Sequence, residues 1–363
     1  MLIDVIAGAR PNFMKIAPII RAIEARQSQG SQLQYRLVHT GQHYDARMSG
    51  DFFTQLGIPA PHVNLEIGSG TQAEQTAGIM MGYEKLLLQS PSRLCLVVGD
   101  VTSTMACAIA AQKLCVPVAH VEAGIRSGDW TMPEEINRMV TDSITNYFFT
   151  TSEVANDNLR RAGVGNERIF FVGNTMIDTL LANRLRFVKP DFFDSLNLKP
   201  QEYFVVTLHR PANVDKGDSF SQLLFAISTG ARNMPVVFPL HPRTAKTLRE
   251  LSELPANICM VDPQPYLQFN YLVQNAKAVI TDSGGVTEET TVMGVPCMTL
   301  RNSTERPETV TIGTNELLGT DPSVLVPAFE KLFAGQWKKG RVPPLWDGKT
   351  GKRIVAHLEQ LLC

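Results

Sequence analysis

A chain of 363 residues has room for two domains, three at the outside. Apolar residues at 44%, aromatics at 7% and charged residues at 19% are the proportions of a globular enzyme, and they exclude disordered, collagen-like and coiled-coil readings. Lys and Arg total 34 against 35 Asp and Glu, a formal charge of −1 with no basic block, so a nucleic-acid partner is not expected. A small anion remains compatible with that balance, because a phosphate needs only a few positive groups gathered in one place.

Residues 2–7 form an apolar run with one acid inside and no basic stretch before it, which reads as a buried strand and not as a signal peptide. No apolar stretch approaches the ~20 residues that span a bilayer, so no membrane partner is expected. Runs at 34–39, 93–98, 116–121 and 147–150 follow, each succeeded by an amphipathic stretch, with loops opening at Gly8, Thr40, Gly99 and Glu122. Ser152-Glu153 then starts a helix with a serine cap, and 169–172 ends in Gly173-Asn174-Thr175. This is the strand–helix rhythm of a doubly wound parallel sheet. It weakens between about 185 and 202, where Lys189-Pro190 and Lys199-Pro200 punctuate a polar stretch, and resumes at 203–208, 236–240, 258–261 and 278–281.

The pattern therefore predicts an α/β chain of two Rossmann-like domains, 1–184 and 185–363, facing across a cleft, with the last helix able to pack back on the first domain. The six cysteines are scattered without a C-x-x-C pair. Cys95, Cys107, Cys115, Cys259 and Cys297 sit among apolar neighbours, which predicts free buried thiols and a cytoplasmic chain.

Thr281-Asp282-Ser283-Gly284-Gly285-Val286-Thr287-Glu288-Glu289 carries the most chemistry. A strand runs into Ser-Gly-Gly and a helix opens directly behind, so glycines admit a ligand close to backbone N–H groups that the first helical turn leaves unpaired. A diphosphate fits there, and Glu289 one turn on is placed to accept from a ribose diol. Arg10 and Lys15, in the loop and helix start after the first strand, form a second candidate anion site. Other motifs fail on spacing. There is no G-x-G-x-x-G, hence no nicotinamide fingerprint, and Pro343 stands where Gly348-Lys349-Thr350 would need a P-loop glycine. Neither H-E-x-x-H nor any metal-ligand spacing occurs among the seven histidines, and Ser283 lacks the glycine of a nucleophile elbow; no metal and no cofactor is expected.

Titratable residues fall at the ends of several predicted strands: Asp100, Glu122 and Glu134 in the first half, His209-Arg210 and His241-Pro242-Arg243 in the second. Taken alone, each has an ordinary explanation. Asp100 caps a helix through Thr104, Glu134 sits in a solvated first turn, or His209 is a packed histidine. Taken together, acids, histidines and arginines at one edge of two sheets predict proton transfer on a nucleotide-linked substrate.

These residues, in order, resemble the non-hydrolysing UDP-N-acetylglucosamine 2-epimerases. The matching segments are 8–15, 40–43, 99–104, 120–126, 133–138, 173–178, 209–210, 282–289 and 301–307, nearly end to end. The resemblance implies two Rossmann-like domains in the GT-B arrangement and a homodimer. It also implies inversion at C2 of UDP-GlcNAc to UDP-ManNAc, by loss of UDP to 2-acetamidoglucal and its re-addition, in polysaccharide biosynthesis. By similarity Asp100, Glu122, Glu134 and His209 are the catalytic positions. Arg10, Lys15, Gln42, His43, Arg138, Asn174, Arg210, His241, Phe269, Ser283, Gly284, Gly285, Glu289 and Arg306 are the UDP-sugar-binding ones, with Phe269 beside the uracil.

Three features depart from the pattern. Pro211-Ala212-Asn213 follows His209-Arg210 where many members carry a glutamate. Tyr44-Asp45 follows Gln42-His43 where regulated bacterial members read Arg-Gln in a second, regulatory UDP-GlcNAc site. The 128–133 loop is also shorter. Alternatives within reach are a 2-epimerase of another UDP-sugar such as a UDP-2,3-diacetamido uronic acid, a hydrolysing epimerase releasing ManNAc, and a retaining GT-B glycosyltransferase.

Overall fold

The structure, a computed structural model, describes residues 1–8, 10–41, 56–215, 217–240, 244, 247–248 and 253–362, with the side chains of 10, 11, 211, 212, 217 and 218 excepted. The chain divides into two compact units, Met1–Ala182 with Pro344–Cys363, and Asn183–Pro343. In order, the first unit contains β1 (Leu2–Ala7), α1 (Arg10–Gln27), β2 (Gln34–His39), β3 (Val63–Asn64), α2 (Gln72–Gln89), β4 (Leu94–Val98), α3 (Thr102–Lys113), β5 (Val118–Val121), α4 (Pro133–Ile144), β6 (Tyr147–Thr150), α5 (Glu153–Arg161), β7 (Ile169–Phe171) and α6 (Thr175–Asn183). The second contains α7 (Phe192–Ser195), β8 (Phe204–Thr207), α8 (Pro211–Val214), α9 (Gly217–Gly230), β9 (Val236–Pro239), β10 (Ile258–Val261), α10 (Tyr266–Asn275), β11 (Ala278–Thr281), α11 (Gly284–Met293), β12 (Cys297–Thr299), α12 (Pro307–Thr311), β13 (Asn315–Leu317) and α13 (Leu325–Phe333). The last helix, α14 (Thr350–Leu362), belongs to the first unit.

Among the described residues every ladder is parallel, in the orders β3-β2-β1-β4-β5-β6-β7 and β10-β9-β8-β11-β12-β13. Helices cover both faces of such a sheet, which is why β1 and β4 read as near-continuous apolar runs. Asp4 breaks the run in β1. It is buried and fully engaged: Arg36, its register partner on β2, donates from Nε (2.7 Å) and Nη2 (2.8 Å), and the Tyr83 hydroxyl donates at 2.9 Å. Strand order reverses direction between β1 and β4 in one sheet and between β8 and β11 in the other. These switch points leave crevices at the carboxyl ends of the strands, where ligands of doubly wound sheets bind.

The strands predicted from the apolar rhythm all form, and the short β3, β12 and β13 are added to them. Ser152 caps α5, its hydroxyl accepting from Ala155 N at 3.3 Å. Cys115 departs from the expected buried thiol. It turns left-handed (φ 57°) just after α3 and is exposed, while Cys95, Cys107 and Cys297 are buried; all these thiols and that of Cys259 are free. Among the described residues no helix is long and apolar enough to cross a membrane.

The return of 344–363 to the first unit rests on close backbone contacts. Asp178 accepts from Thr350 N (3.1 Å) and Gly351 N (2.8 Å), capping α14, and Trp346 Nε1 donates to Thr151 O at 3.0 Å. Gly173, at φ +97°, lets the Leu345 carbonyl approach to where a Cβ would lie 2.1 Å from its oxygen. Gly173→Ala is expected to lower unfolding free energy by about 2 kcal/mol or more, from backbone strain plus the clash, as read by urea denaturation. An unchanged midpoint would contradict this account of the docking.

Candidate active site

The first constellation lies at the carboxyl ends of β1, β4 and β5, beside the switch point of the first sheet. Asn12, one turn into α1, spans the gap: its Oδ1 accepts from Gly8 N (3.2 Å) and its Nδ2 donates to Val98 O (2.9 Å). Next to it β4 turns at Gly99, whose φ of +71° excludes most other residues, and a Cβ there would sit 3.1 Å from Lys15 Nζ. That turn delivers Asp100. β5 ends in the same way, with Glu122 itself left-handed (φ 67°), a strained setting for a side chain with a Cβ.

Each acid meets a cation. Lys15 donates to Glu122 Oε2 at 2.7 Å, and Glu122 is 3% exposed. Arg138 on α4 binds Asp100 through Nη2 and Glu135 through Nη1 (3.1 Å). Asp100 is thus no helix cap: the residue capping α3 is Val101, without a side-chain bond. Asn137 Nδ2 donates to Asp100 O at 2.9 Å, so α4 holds this turn by backbone and side chain together. Glu135 also accepts from Ser127 N (2.9 Å) and Gly128 N (3.0 Å), which ties the loop before α4 to the same arginine.

Behind the turn His120 bridges Gly99 O through Nε2 and Asp142 through Nδ1, both at 2.8 Å. Asp142 accepts in addition from Arg126 (2.6 Å) and Gly124 N (3.1 Å). Burial disfavours its charged form, but the His120 contact and Arg126 outweigh that and hold its carboxyl below the usual range.

The second constellation occupies the equivalent place in the other sheet. His209 and Arg210 follow β8; Asp282 and Ser283 follow β11. His209 is not a packed histidine, its side chain being 47% exposed with Nδ1 2.8 Å from Asp282 Oδ1. Arg210 Nε donates to Asp282 O at 3.1 Å, and its Nη2 lies 3.7 Å from Glu305. Ser283 is the N-cap of α11, extended and without a side-chain cap bond, so the first N–H groups of the helix are left for another acceptor. Further along α11 Glu289 is buried, accepting from the Tyr266 hydroxyl at 3.0 Å. Burial pushes its carboxyl up to about 7; hydrogen bonds from Tyr266 and Asn270 oppose the shift, and the Glu288 charge adds to it.

The structure therefore gathers Asp100, Glu122, Lys15 and Arg138 at the strand ends of the first unit, and, separately, His209, Arg210, Ser283, Gly284 and Gly285 at the strand ends of the second, with Glu289 further along the same helix. Phe269, on α10, packs partly buried against the core beside α11. Other candidates stand apart. Glu134 is exposed in the first turn of α4 and makes no ion pair among the described residues. Asn174 is buried at the start of α6, accepting from Met176 N at 2.9 Å. Arg306 is buried against Glu288, so its charge is already engaged within the protein. Gln42, His43, His241 and the side chain of Arg10 lie outside the described residues, as do Tyr44, Asp45 and Arg243.

Sequence reading gave no role to Asp282, Asp142, His120 or Glu135. An acid at the end of a central strand, paired across the sheet with a strand-end histidine, is the signal that would have found Asp282.

The sequence profile of a family described as UDP-N-acetylglucosamine 2-epimerase matches residues 25–359. The UDP-N-acetylglucosamine 2-epimerase of Methanocaldococcus jannaschii is 41% identical over 371 residues, covering 99% of each chain. The UDP-2,3-diacetamido-2,3-dideoxy-D-glucuronate 2-epimerase of Pseudomonas aeruginosa is also 41% identical, over 365 residues, covering 99% of this chain and 100% of the relative. Among solved structures, that of the M. jannaschii UDP-GlcNAc 2-epimerase in complex with UDP-GlcNAc and UDP aligns with a TM-score of 0.88 at 40% identity, over 99% of this chain and 100% of the other.

Asp142 gives this geometry a measurable signature. A carboxyl held below its ordinary value contributes stability that is present above the unfolded Asp pKa of about 3.9 and lost as pH falls through the folded value. Asp142→Asn should cost about 3 kcal/mol of unfolding free energy at neutral pH, since it leaves His120 and Arg126 without their acceptor. Measured by denaturant titration across pH, that difference should shrink below about pH 4. A difference independent of pH would sink the assignment of the charge.

Proposed function

Because the chain belongs to the UDP-N-acetylglucosamine 2-epimerase family, we propose that it inverts C2 of UDP-GlcNAc to give UDP-ManNAc, keeping UDP on the product. The observation that carries the proposal is the pair of carboxylates, Asp100 and Glu122, each at a strand end and each held by a cation. In this reading a carboxylate takes the C2 proton while the C1–O bond to the diphosphate breaks, giving 2-acetamidoglucal; protonation from the opposite face and re-addition of UDP complete the inversion. Proton removal next to the N-acetyl group needs a positioned base. Departure of the diphosphate needs positive charge and N–H dipoles where charge develops, supplied by His209, Arg210 and the Ser283-Gly284-Gly285 start of α11.

A second reading keeps the elimination and changes the sugar to a UDP-2,3-diacetamido uronic acid. The P. aeruginosa relative favours it, being as similar to this chain as the M. jannaschii enzyme. Against it stands the charge at the strand ends of the first unit, where Lys15 and Arg138 are already paired with acids and a sugar carboxylate would add another negative group. The neutral N-acetylated sugar is therefore the leading substrate.

Incubation of the purified protein with each UDP-sugar in heavy water, followed by NMR, separates the readings. Deuterium at C2 with UDP-ManNAc supports the first, and exchange confined to the uronate supports the second. Free ManNAc points to hydrolysis, and absence of exchange with both sugars overturns the epimerase assignment. Glu122→Gln is expected to cut turnover by about 10²–10⁴-fold while leaving UDP affinity within a few-fold; surviving turnover would remove Glu122 from the chemistry.

Glu289 supplies a pH test. A ribose diol donates to a carboxylate and favours its charged form, so binding should release a proton from a group poised near 7. Affinity for UDP-GlcNAc, whose diphosphate does not titrate in this range, should rise between about pH 6 and pH 8, and calorimetry in buffers of different ionisation heat should detect the proton. Glu289→Gln should flatten the profile. A flat profile in the unmodified protein would place the ribose elsewhere.

A further inference from the structure

Glu135 takes no step in the chemistry proposed above, yet donors converge on its carboxylate from two directions. It is the third residue of α4 and 2% exposed. Oε2 accepts from Ser127 N (2.9 Å), Ser127 Oγ (3.0 Å) and Arg138 Nη1 (3.1 Å), and Oε1 accepts from Gly128 N (3.0 Å). A glutamate at this place in a helix ordinarily reaches back to the N–H of the capping residue. Here the capping residue is Met132, whose N–H already goes to Asp129 O at 3.1 Å. Glu135 reaches past it to the turn at Ser127-Gly128.

Its fourth donor belongs to a rigid fork. Arg138, one turn on and 5% exposed, gives Nη1 to Glu135 and Nη2 to the Asp100 carboxylate. A guanidinium is planar, so holding Nη1 fixes the direction in which Nη2 points. The main chain at Asp100 is held separately, Asn137 Nδ2 donating to its carbonyl at 2.9 Å. Asn137 thus places the residue, and Arg138 turns its side chain.

We propose that Glu135 is a positioning residue of the reaction: it sets the plane of the Arg138 guanidinium and, through it, the direction of the Asp100 carboxylate. The proposal rests on Asp100 acting in the epimerisation proposed above. A purely structural Glu135 would need only its bonds to Ser127 and Gly128, which pin the turn; Arg138 would not have to share Oε2 with them.

A glutamine separates the two. It offers a single acceptor oxygen to donors that arrive on both sides, so its amide faces an N–H, and it removes the charge on that side of the fork. Glu135→Gln should lower kcat by about ten- to a hundredfold with KM changed only a few-fold, the loss expected when a reacting group is misdirected while binding contacts survive. Turnover is counted per UDP site, titrated calorimetrically with UDP, so that misfolded protein does not enter. A structural role would lower the number of sites and the unfolding midpoint and leave turnover per site unchanged. In an Arg138→Lys background, where no fork joins the two acids, the same substitution should cost no further turnover, and a loss as large as in the unmodified protein overturns the proposal.

Nitrogen NMR of arginine-labelled protein reads the contact without turnover. The Nη1 and Nη2 signals of Arg138, identified by their loss in Arg138→Lys, should be separate in the unmodified protein, because different acids hold them, and that of Nη1 should move in Glu135→Gln. A single averaged Nη signal in the unmodified protein overturns the proposal even where the variant fails to fold, and so does unchanged turnover per site in a folded Glu135→Gln. Absence of epimerisation in unmodified protein that shows the separate signals overturns the proposed reaction and leaves the contact that turns Asp100 standing.

Discussion

Where a doubly wound sheet reverses direction, its two central strands send the chain away from each other, and the polar groups at their ends lose their neighbours. Something must satisfy them. Each unit of this chain does so with one buried side chain that reaches across the gap. In the first it is Asn12, tying Gly8 to Val98; in the second it is Asp282, tying His209 and Arg210 to the end of β11. An unpaired buried donor or acceptor costs about 1–3 kcal/mol, so these bridges are required by the topology before any function is considered. The consequence is functional: loops that would otherwise be free are fixed where ligands of such sheets bind.

The acids of the first unit illustrate a second constraint. Glu122 is nearly dry, and a buried carboxylate persists as a charge only with a partner. Lys15 provides it, so the lysine read from sequence as an anion-binding group spends its charge inside the protein. Arg138 does the same for Asp100, and through Glu135 it ties that acid to the loop at Ser127 and Gly128. A single guanidinium therefore couples the direction of an acid to the position of a loop, which a lysine could not do because it lacks the rigid fork.

The longer elements were legible because strands covered on both faces are continuous apolar runs, as in 94–98, and because Ser152 announces its helix. Other features were not. β12 and β13 have three residues each, too few to show a period, and take their conformation from pairing with β11 and with one another. Asp100 looked like a cap because local sequence favours caps; its real partner is 38 residues away on α4. Asp142 and Asp282 were passed over for the same reason, their partners being brought together only by strand order. Motif order sufficed to name the family, whereas the contacts that orient each side chain belong to tertiary structure.

A formal charge of −1 says little about a chain that handles charge so differently in its two halves. In the first unit the acids at the strand ends are neutralised pairwise, by Lys15 and Arg138. In the second, the carboxylates of Glu288 and Glu305 are buried against Arg306 and Arg301, while His209, Arg210 and the open start of α11 stay partly exposed. The sum is close to zero, but Arg210 and His209 stand beside a helix N-terminus, whose N–H groups are donors to an anion. Anion binding of this kind needs no net charge, because short-range donors in a partly desolvated place outweigh a field averaged over the whole surface.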